Sequence, residues 1–167
     1  MRVKVCDIIH LNISSLIILT KKFLQDMVSR GEGKILNLAS VASKMPGPLQ
    51  SVYYGTKAFV HSFSESVREE VKHKGVTITS LLSGATDTDF FNKADMLHAK
   101  NIKEGKKAGK LADPADIAKA GYDALMAGKD MVIPGIKNKI RIAISNLTPD
   151  SVLAEQSHER HAPSSKK

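Results

Sequence analysis

The sequence predicts an α/β fold in which helices cover a parallel sheet of about three strands. Two observations support this class. Short apolar runs alternate along the chain with longer stretches whose apolar residues recur at helical spacing. Strands separated by helices favour parallel pairing through crossover connections. We expect the order α-β-α-β-α-β-α, one domain over residues 1–157, and a disordered tail over residues 158–167.

The first half of the chain predicts two helices around one strand. Ile8–Val28 has apolar residues on one helical face and is followed by Gly31, a typical helix stop. Lys34–Ala39 is a short apolar run, which is typical of a buried strand. Ser51–Lys74 is again amphipathic, and Gly75 is its expected C-terminal cap.

The second half continues the alternation. A β-branched run predicts the second strand, and an aspartate followed by proline is a favourable helix start. The expected elements are a strand at Val76–Leu82, a helix at Asp113–Met126, a strand at Asp130–Pro134, a helix at Ile136–Ser145 and a short helix from Thr148.

The composition is that of an ordinary globular domain, with 42% hydrophobic and 25% charged residues in 167. A single cysteine, Cys6, excludes an intrachain disulfide. The single cysteine fits a reducing cytoplasm. The longest apolar stretch is too short to span a bilayer, so no membrane partner is expected. The histidines show no spacing typical of a metal site.

The net charge of +8 is concentrated in part at Lys100–Lys110, which carries five lysines against one glutamate. We interpret this segment as a solvated loop. Nucleic-acid binding is a weaker alternative, because no aromatic residues interleave with the lysines to stack on bases.

Tyr53 and Lys57 are the most informative pair. Four residues apart on a helix, they share a face. An adjacent ammonium favours phenolate and would lower the pKa of the tyrosine from about 10 toward neutrality. Ser40, thirteen residues earlier, would add a hydroxyl that hydrogen-bonds a substrate oxygen. The three together predict proton transfer to or from an alcohol or carbonyl.

With Asn12, these residues resemble the short-chain dehydrogenase/reductase (SDR) family. Tyr53-Tyr-Gly-Thr-Lys57 matches the family's Tyr-x-x-x-Lys motif, Ser40 closes the preceding strand, and Asn12 lies on the helix before it. The resemblance is specific over about residues 7–91 and looser to about residue 149. It implies a partial Rossmann-like, doubly wound fold.

The resemblance also implies an oxidoreductase that uses NAD or NADP to reduce a carbonyl or oxidise an alcohol. Tyr53 would be the general acid/base. Lys57 would lower the tyrosine pKa and hold the nicotinamide ribose, and Ser40 would orient and polarise the substrate carbonyl. Asn12 would hold a helix distortion and a water that links Lys57 to solvent.

Gly84, Thr86 and Thr88 follow the second strand, and the resemblance implies that this loop meets the nicotinamide, together with Tyr53 and Lys57. Ser83-Gly84 stands where the family usually has Pro-Gly. We expect a less rigid loop and a modest loss of cofactor affinity. Phe90 to Lys110 corresponds to the family's substrate loop.

The family's N-terminal Gly-x-x-x-Gly-x-Gly turn, which binds pyrophosphate at a helix N-terminus, is not found in the sequence. The chain is therefore interpreted as the C-terminal, truncated part of an SDR domain. The sequence does not distinguish NAD from NADP. The strand Lys34–Ala39 would have an open edge, which favours oligomerisation through the helices carrying Asn12 and Tyr53.

A different class of function stays open alongside the oxidoreductase. The chain would then be an inactive remnant or a dimerisation and interaction module that does not bind cofactor. Retention of Asn12, Ser40, Tyr53 and Lys57 together favours descent from an active enzyme.

Overall fold

The computed structural model describes residues 2–89 and 111–162. Its sheet has three parallel strands in the order β1-β2-β3. The strands are β1 (Gly33–Leu38), β2 (Val76–Leu81) and β3 (Met131–Val132). The predicted α/β class with three parallel strands is confirmed, although β3 is shorter than expected. The expected substrate loop and lysine-rich segment, at residues 90–110, lie outside the described residues.

The first helix is longer than the sequence predicted and changes character part-way. It runs as α1 (Arg2–Ile9), a π-helical segment (His10–Ser14) and α2 (Ser15–Arg30). The helix ends where expected, because Gly31 has a φ of 72° and its amide donates back to the carbonyls of the last turn. The tyrosine and lysine of the motif lie on α3 (Ser51–Val71).

Among the described residues, three further helices follow β2: α4 (Pro114–Met126), α5 (Ile136–Ser145) and α6 (Asp150–His161). Asp113 caps α4 as predicted, since its carboxylate accepts a hydrogen bond from the Ala115 amide at 2.8 Å. Within residues 2–89 and 111–162, no helix combines the length and apolar character needed to cross a bilayer.

The core has two clusters, one near each end of the strands. The cluster beyond the carboxyl ends of β1 and β2 packs the turn after β1 against α3 and α5 and comprises Ala39, Val41, Val60, Leu82 and Ile142. The cluster at the opposite ends packs α3 onto β2 and comprises Val67, Val71, Val76 and Ile78. Burial of these side chains fixes α3 and α5 relative to the sheet.

The disordered tail predicted from residue 158 does not begin there. Helix α6 continues to His161, and the His161 side chain is buried. Its ring contacts Tyr54 and the Pro48 carbonyl, which supply the tertiary contacts that the sequence of the tail did not indicate. Residues 163–167 lie outside the described residues.

Two glycine turns contact one another where β1 and β2 begin. Gly75 has a φ of +72°, and a Cβ at this position would lie 1.9 Å from the carbonyl oxygen of Gly31. Gly75 is therefore required by its backbone conformation and by the space available. Gly128 has a similar φ of +70°, but a Cβ there would meet nothing within 4 Å.

We predict that Gly75→Ala lowers the free energy of unfolding by about 2 kcal/mol or more, because backbone strain and overlap with Gly31 add together. Gly128→Ala is the matched control and should cost about 1–2 kcal/mol, from backbone strain alone. Urea unfolding followed by circular dichroism measures both. Equal losses in the two variants would contradict the contact between the turns.

Candidate functional site

A cavity of about 500 Å³ opens at the carboxyl ends of β1 and β2. Ligands of open parallel sheets commonly bind at this edge. Six of the seven residues that the sequence singled out line this cavity: Ser40, Tyr53, Lys57, Gly84, Thr86 and Thr88. Asn12 instead lines a separate groove between α2 and β1. The parallel register of β1 and β2 is what brings the loops after the two strands together.

Ser40 joins the loops that follow the two strands. Its hydroxyl donates to the Ser83 carbonyl at 3.2 Å and accepts from the Ala42 amide at 3.1 Å, which caps a short 3₁₀ turn. The Val41 amide also donates to Ser83, at 3.0 Å. Ser40 is buried and also hydrogen-bonds Tyr53. Its side chain is therefore held in place before any ligand binds.

Tyr53 and Lys57 share a face of α3, and the Lys57 Nζ lies 6.0 Å from the centroid of the Tyr53 ring. Burial nevertheless raises the pKa of Tyr53 above 10.0, and the opposing hydrogen bond from Ser40 does not cancel this effect. The lowered pKa predicted from the motif is thus not found in this chain. Desolvation is the largest contribution to this shift, and the neighbouring Tyr54 phenol adds to it.

The Lys57 ammonium hydrogen-bonds the backbone of β1. Its Nζ donates a hydrogen bond to the Leu38 carbonyl at the end of β1, at 2.8 Å. Burial lowers the pKa of Lys57. The same residue lines the cavity beside Tyr53 and the groove beside Asn12, so it connects the two spaces.

Asn12 lies within the π-helical segment, where the resemblance places a helix distortion. Its Nδ2 donates to the Thr56 Oγ1 at 3.0 Å, and the Thr56 hydroxyl in turn donates to the Tyr53 carbonyl at 2.8 Å. This chain of hydrogen bonds ties the distorted helix to the turn of α3 that carries Tyr53. π-Helical segments are frequent at functional sites.

The loop after β2 is shaped by a contact with α5. A Cβ on Gly84 would lie 2.5 Å from the Asn138 Nδ2, so the close approach of this side chain explains the glycine. Asn138 is held by a hydrogen bond to the Pro134 carbonyl at 2.8 Å. The Thr86 hydroxyl donates to the Gly84 carbonyl at 3.0 Å. Asn138 therefore supports a loop that has serine in place of the usual proline.

The groove that contains Asn12 follows the other edge of β1. It has a volume of about 510 Å³, and apolar side chains dominate its walls, among them Leu11, Leu16, Leu19, Phe23, Leu36 and Leu38. Leu38 is 56% exposed, and among the described residues β1 pairs only with β2. The sequence predicted an open, apolar edge at this strand.

Similarity to known proteins identifies the family. The family model described as "short chain dehydrogenase" matches residues 2–97, which include Asn12, Ser40, Tyr53 and Lys57. The chain belongs to the short-chain dehydrogenase family. Among curated relatives, 3-oxoacyl-[acyl-carrier-protein] reductase FabG of Vibrio cholerae is 32% identical over 114 residues, covering 68% of this chain and 47% of the relative.

Human 17-beta-hydroxysteroid dehydrogenase type 3 is 43% identical over 82 residues, which cover 49% of this chain and 26% of that protein. This SDR chain thus spans half or less of the curated relatives that it matches. The fold is shared with a short-chain dehydrogenase from Sphingobium yanoikuyae solved in complex with NADPH. The TM-score is 0.70 at 21% identity, over 95% of this chain and 57% of the other.

The site contains residues that sequence reasoning missed. Arg141 and His161 line the same cavity as Tyr53, from α5 and α6. Arg141 is the one basic residue within the run Ile140–Ser145, a weak signal for a functional role. His161 was assigned to a disordered tail. Tyr54 is buried, and its hydroxyl lies 3.1 Å from the His161 Nε2. No group of three or more His, Cys, Asp or Glu among residues 2–89 and 111–162 could hold a metal ion.

We predict that Ser40→Ala raises the pKa of Tyr53 further, because the Ser40 hydrogen bond is the contribution that favours the phenolate. Titration of ¹³Cζ-labelled tyrosine by NMR between about pH 8 and 12 measures this shift, with Tyr53→Phe assigning the resonance. Ser43→Ala is the control, since its hydroxyl donates to the Ser40 carbonyl. An unchanged or lowered pKa in Ser40→Ala would refute this role of Ser40.

Proposed function

We propose that this chain carries the proton-transfer half of an NAD(P)-dependent SDR oxidoreductase that interconverts a carbonyl and an alcohol. The observation that carries the proposal is the convergence of Ser40, Tyr53 and Lys57 on one cavity at the carboxyl ends of the strands. The Ser40–Tyr53 hydrogen bond orients the two groups that would contact the reacting oxygen. The family match supports the reaction class.

The pKa of Tyr53 favours the direction of reduction. Because the pKa of Tyr53 lies above its ordinary value, the phenol is neutral at physiological pH and is ready to donate its proton to a developing alkoxide. Ser40 would hydrogen-bond the same oxygen and polarise the carbonyl. The names of two relatives agree with this direction, the FabG reductase of Vibrio cholerae and the very-long-chain 3-oxoacyl-CoA reductase of Rattus norvegicus.

A nicotinamide cofactor fits the remaining wall of the cavity. Gly84, Thr86 and Thr88 line it beside Lys57, and their backbone and hydroxyl groups suit a carboxamide and a ribose. When bound, the nicotinamide supplies or accepts the hydride. Lys57 would exchange its hydrogen bond with Leu38 for the ribose hydroxyls and bring its charge nearer to Tyr53. We propose NADP or NAD as the cofactor and the cytoplasm as the location.

The test separates cofactor binding from proton transfer. We predict that the 167-residue chain does not bind NADPH or NADH at micromolar concentration, because no pyrophosphate-binding glycine turn is found in its sequence. Fused to the N-terminal segment of a family member, it should reduce a ketone. Tyr53→Phe should then lower kcat by about 10²–10⁴-fold, the usual contribution of a general acid.

NADPH fluorescence and absorbance at 340 nm provide the two measurements. Tyr122→Phe, on α4 and outside the cavity, is the matched control and should keep full activity. Micromolar binding of NADPH by the isolated chain would refute the claim that its cofactor site is incomplete. A Tyr53→Phe fusion as active as the parent would refute the role of Tyr53.

The alternative function, an interaction module, is favoured by the apolar surface of the first helix. Leu11 is 71% exposed and Ile18 is 64% exposed, so both present large apolar side chains to solvent. We propose that the helices carrying Asn12 and Tyr53 form a homo-oligomer through this surface. Such an oligomer is compatible with catalysis and does not require it.

We predict that Ile18→Glu raises the dissociation constant of this oligomer at least about tenfold, because a charge would be buried against apolar side chains. Sedimentation velocity at several protein concentrations measures the change. Tyr122→Glu is the control, since Tyr122 is 60% exposed on α4. A monomeric wild type that melts sharply at low micromolar concentration would exclude the proposed oligomer.

A further inference from the structure

Arg141 introduces a positive charge into the wall of the catalytic cavity. Its neighbour Ile142 is buried in the core cluster with Ala39 and Val41, and this packing anchors α5 next to the turn that follows β1. The half-buried guanidinium is directed toward the Met45 loop, where its Nη2 lies 3.2 Å from the Met45 sulfur. Arg141 is thus held at one end of the cavity that contains Tyr53.

The guanidinium has no acidic partner among residues 2–89 and 111–162. The ion pairs found there are His61–Glu65, Lys72–Glu69 and Lys119–Asp123. Its hydrogen-bonding partners, the Tyr54 hydroxyl and the Met45 sulfur, are both neutral, so neither balances the charge. Half-buried arginines are usually paired with carboxylates, because desolvation of the charge is costly. Burial and the like charge of Arg160 both lower the pKa of Arg141, and Tyr54 opposes them only in part.

The ring of Tyr54 lies between the Arg141 guanidinium and Tyr53, the proposed proton donor. Arg141 interacts electrostatically with the hydroxyl of Tyr54, and the ring of Tyr54 lies 6.0 Å from the ring of Tyr53. His161 completes this end of the cavity, with its Nε2 3.1 Å from the Tyr54 hydroxyl. A chain-like carbonyl compound can therefore place its C=O at Ser40 and Tyr53 and its far end at Arg141.

We propose that Arg141 binds an anionic group, a carboxylate or a phosphate, at the end of the carbonyl substrate remote from the reacting C=O. Tyr54 and His161 form the wall that positions the guanidinium. The inference rests on the proposed function for the carbonyl end of the ligand. It adds a class of substrate, a ketone with a terminal anion, and a specificity residue for it.

The first test is equilibrium binding to the full chain, which needs neither cofactor nor turnover. The probes are 6-oxoheptanoate and its methyl ester, which differ only in the terminal charge, and saturation-transfer NMR or calorimetry gives the dissociation constants. We expect the acid to bind at least about tenfold more tightly than the ester, as a charge-assisted, bidentate hydrogen bond should allow. Arg141→Met should remove the preference, and Arg141→Lys should retain part of it.

Lys139→Met is the matched control, because Lys139 is exposed on the same helix and does not line the cavity. It should leave the preference for the acid unchanged. Equal affinity for acid and ester in the wild type, or an unchanged preference in a folded Arg141→Met variant, would overturn the proposal. Should Arg141→Met not fold, the same criterion applies to Arg141→Lys, which must weaken the preference because it loses the bidentate geometry.

Competition identifies the kind of anion. Displacement of 6-oxoheptanoate by inorganic phosphate more effectively than by acetate supports a phosphate-bearing substrate, and the reverse supports a carboxylate. Failure of both to compete counts against an anion site. In the fused enzyme, activity on neutral ketones with no preference for keto acids would refute the role of Arg141 and leave the proposed function intact. Binding of the keto acid by the fused enzyme without turnover would refute the proposed function and leave the role of Arg141 intact.

Discussion

The in-register pairing of β1 with β2 is the interaction on which the site depends. Because the strands are parallel and both end at the pair Leu38↔Leu81, the segments that leave them emerge side by side. Ser40 then binds the Ser83 carbonyl across the gap between the two loops. A slip of one residue in this register would reverse which side chains face the core and would separate the serine from the loop that it closes.

Burial is the largest influence on the ionisation of the two motif residues in this cavity. It raises the pKa of Tyr53 and lowers the pKa of Lys57, so both groups favour their uncharged forms more than they would in water. A neutral phenol beside a serine hydroxyl suits the donation of a proton. If a bound cofactor draws Lys57 away from Leu38, as proposed above, the acid strength of the tyrosine would depend on the ligand.

The sequence predicted the order of strands and helices, the glycine stop at Gly31 and the convergence of the motif residues, because periodicity and short motifs report local structure. It did not reveal α6 beyond residue 157, because that segment is polar and its order comes from contacts of His161 with Tyr54 and Pro48. Arg141 was missed for a similar reason. Arg141 matters because it lines the cavity that contains Tyr53, and the spacing of residues along the chain does not show which side chains line a cavity.

The π-helical segment at Asn12 has a consequence for how the first helix can change during evolution. An α-helix turns by about 100° per residue. A π-helical turn contains about one more residue than an α-helical turn, because its hydrogen bonds join residues five apart. Deletion of one residue between His10 and Ser14 would let this turn close as an ordinary α-helical turn, so α1 would keep nearly the same rotation relative to α2. The segment therefore accommodates an extra residue without changing which face of α1 is presented to α3.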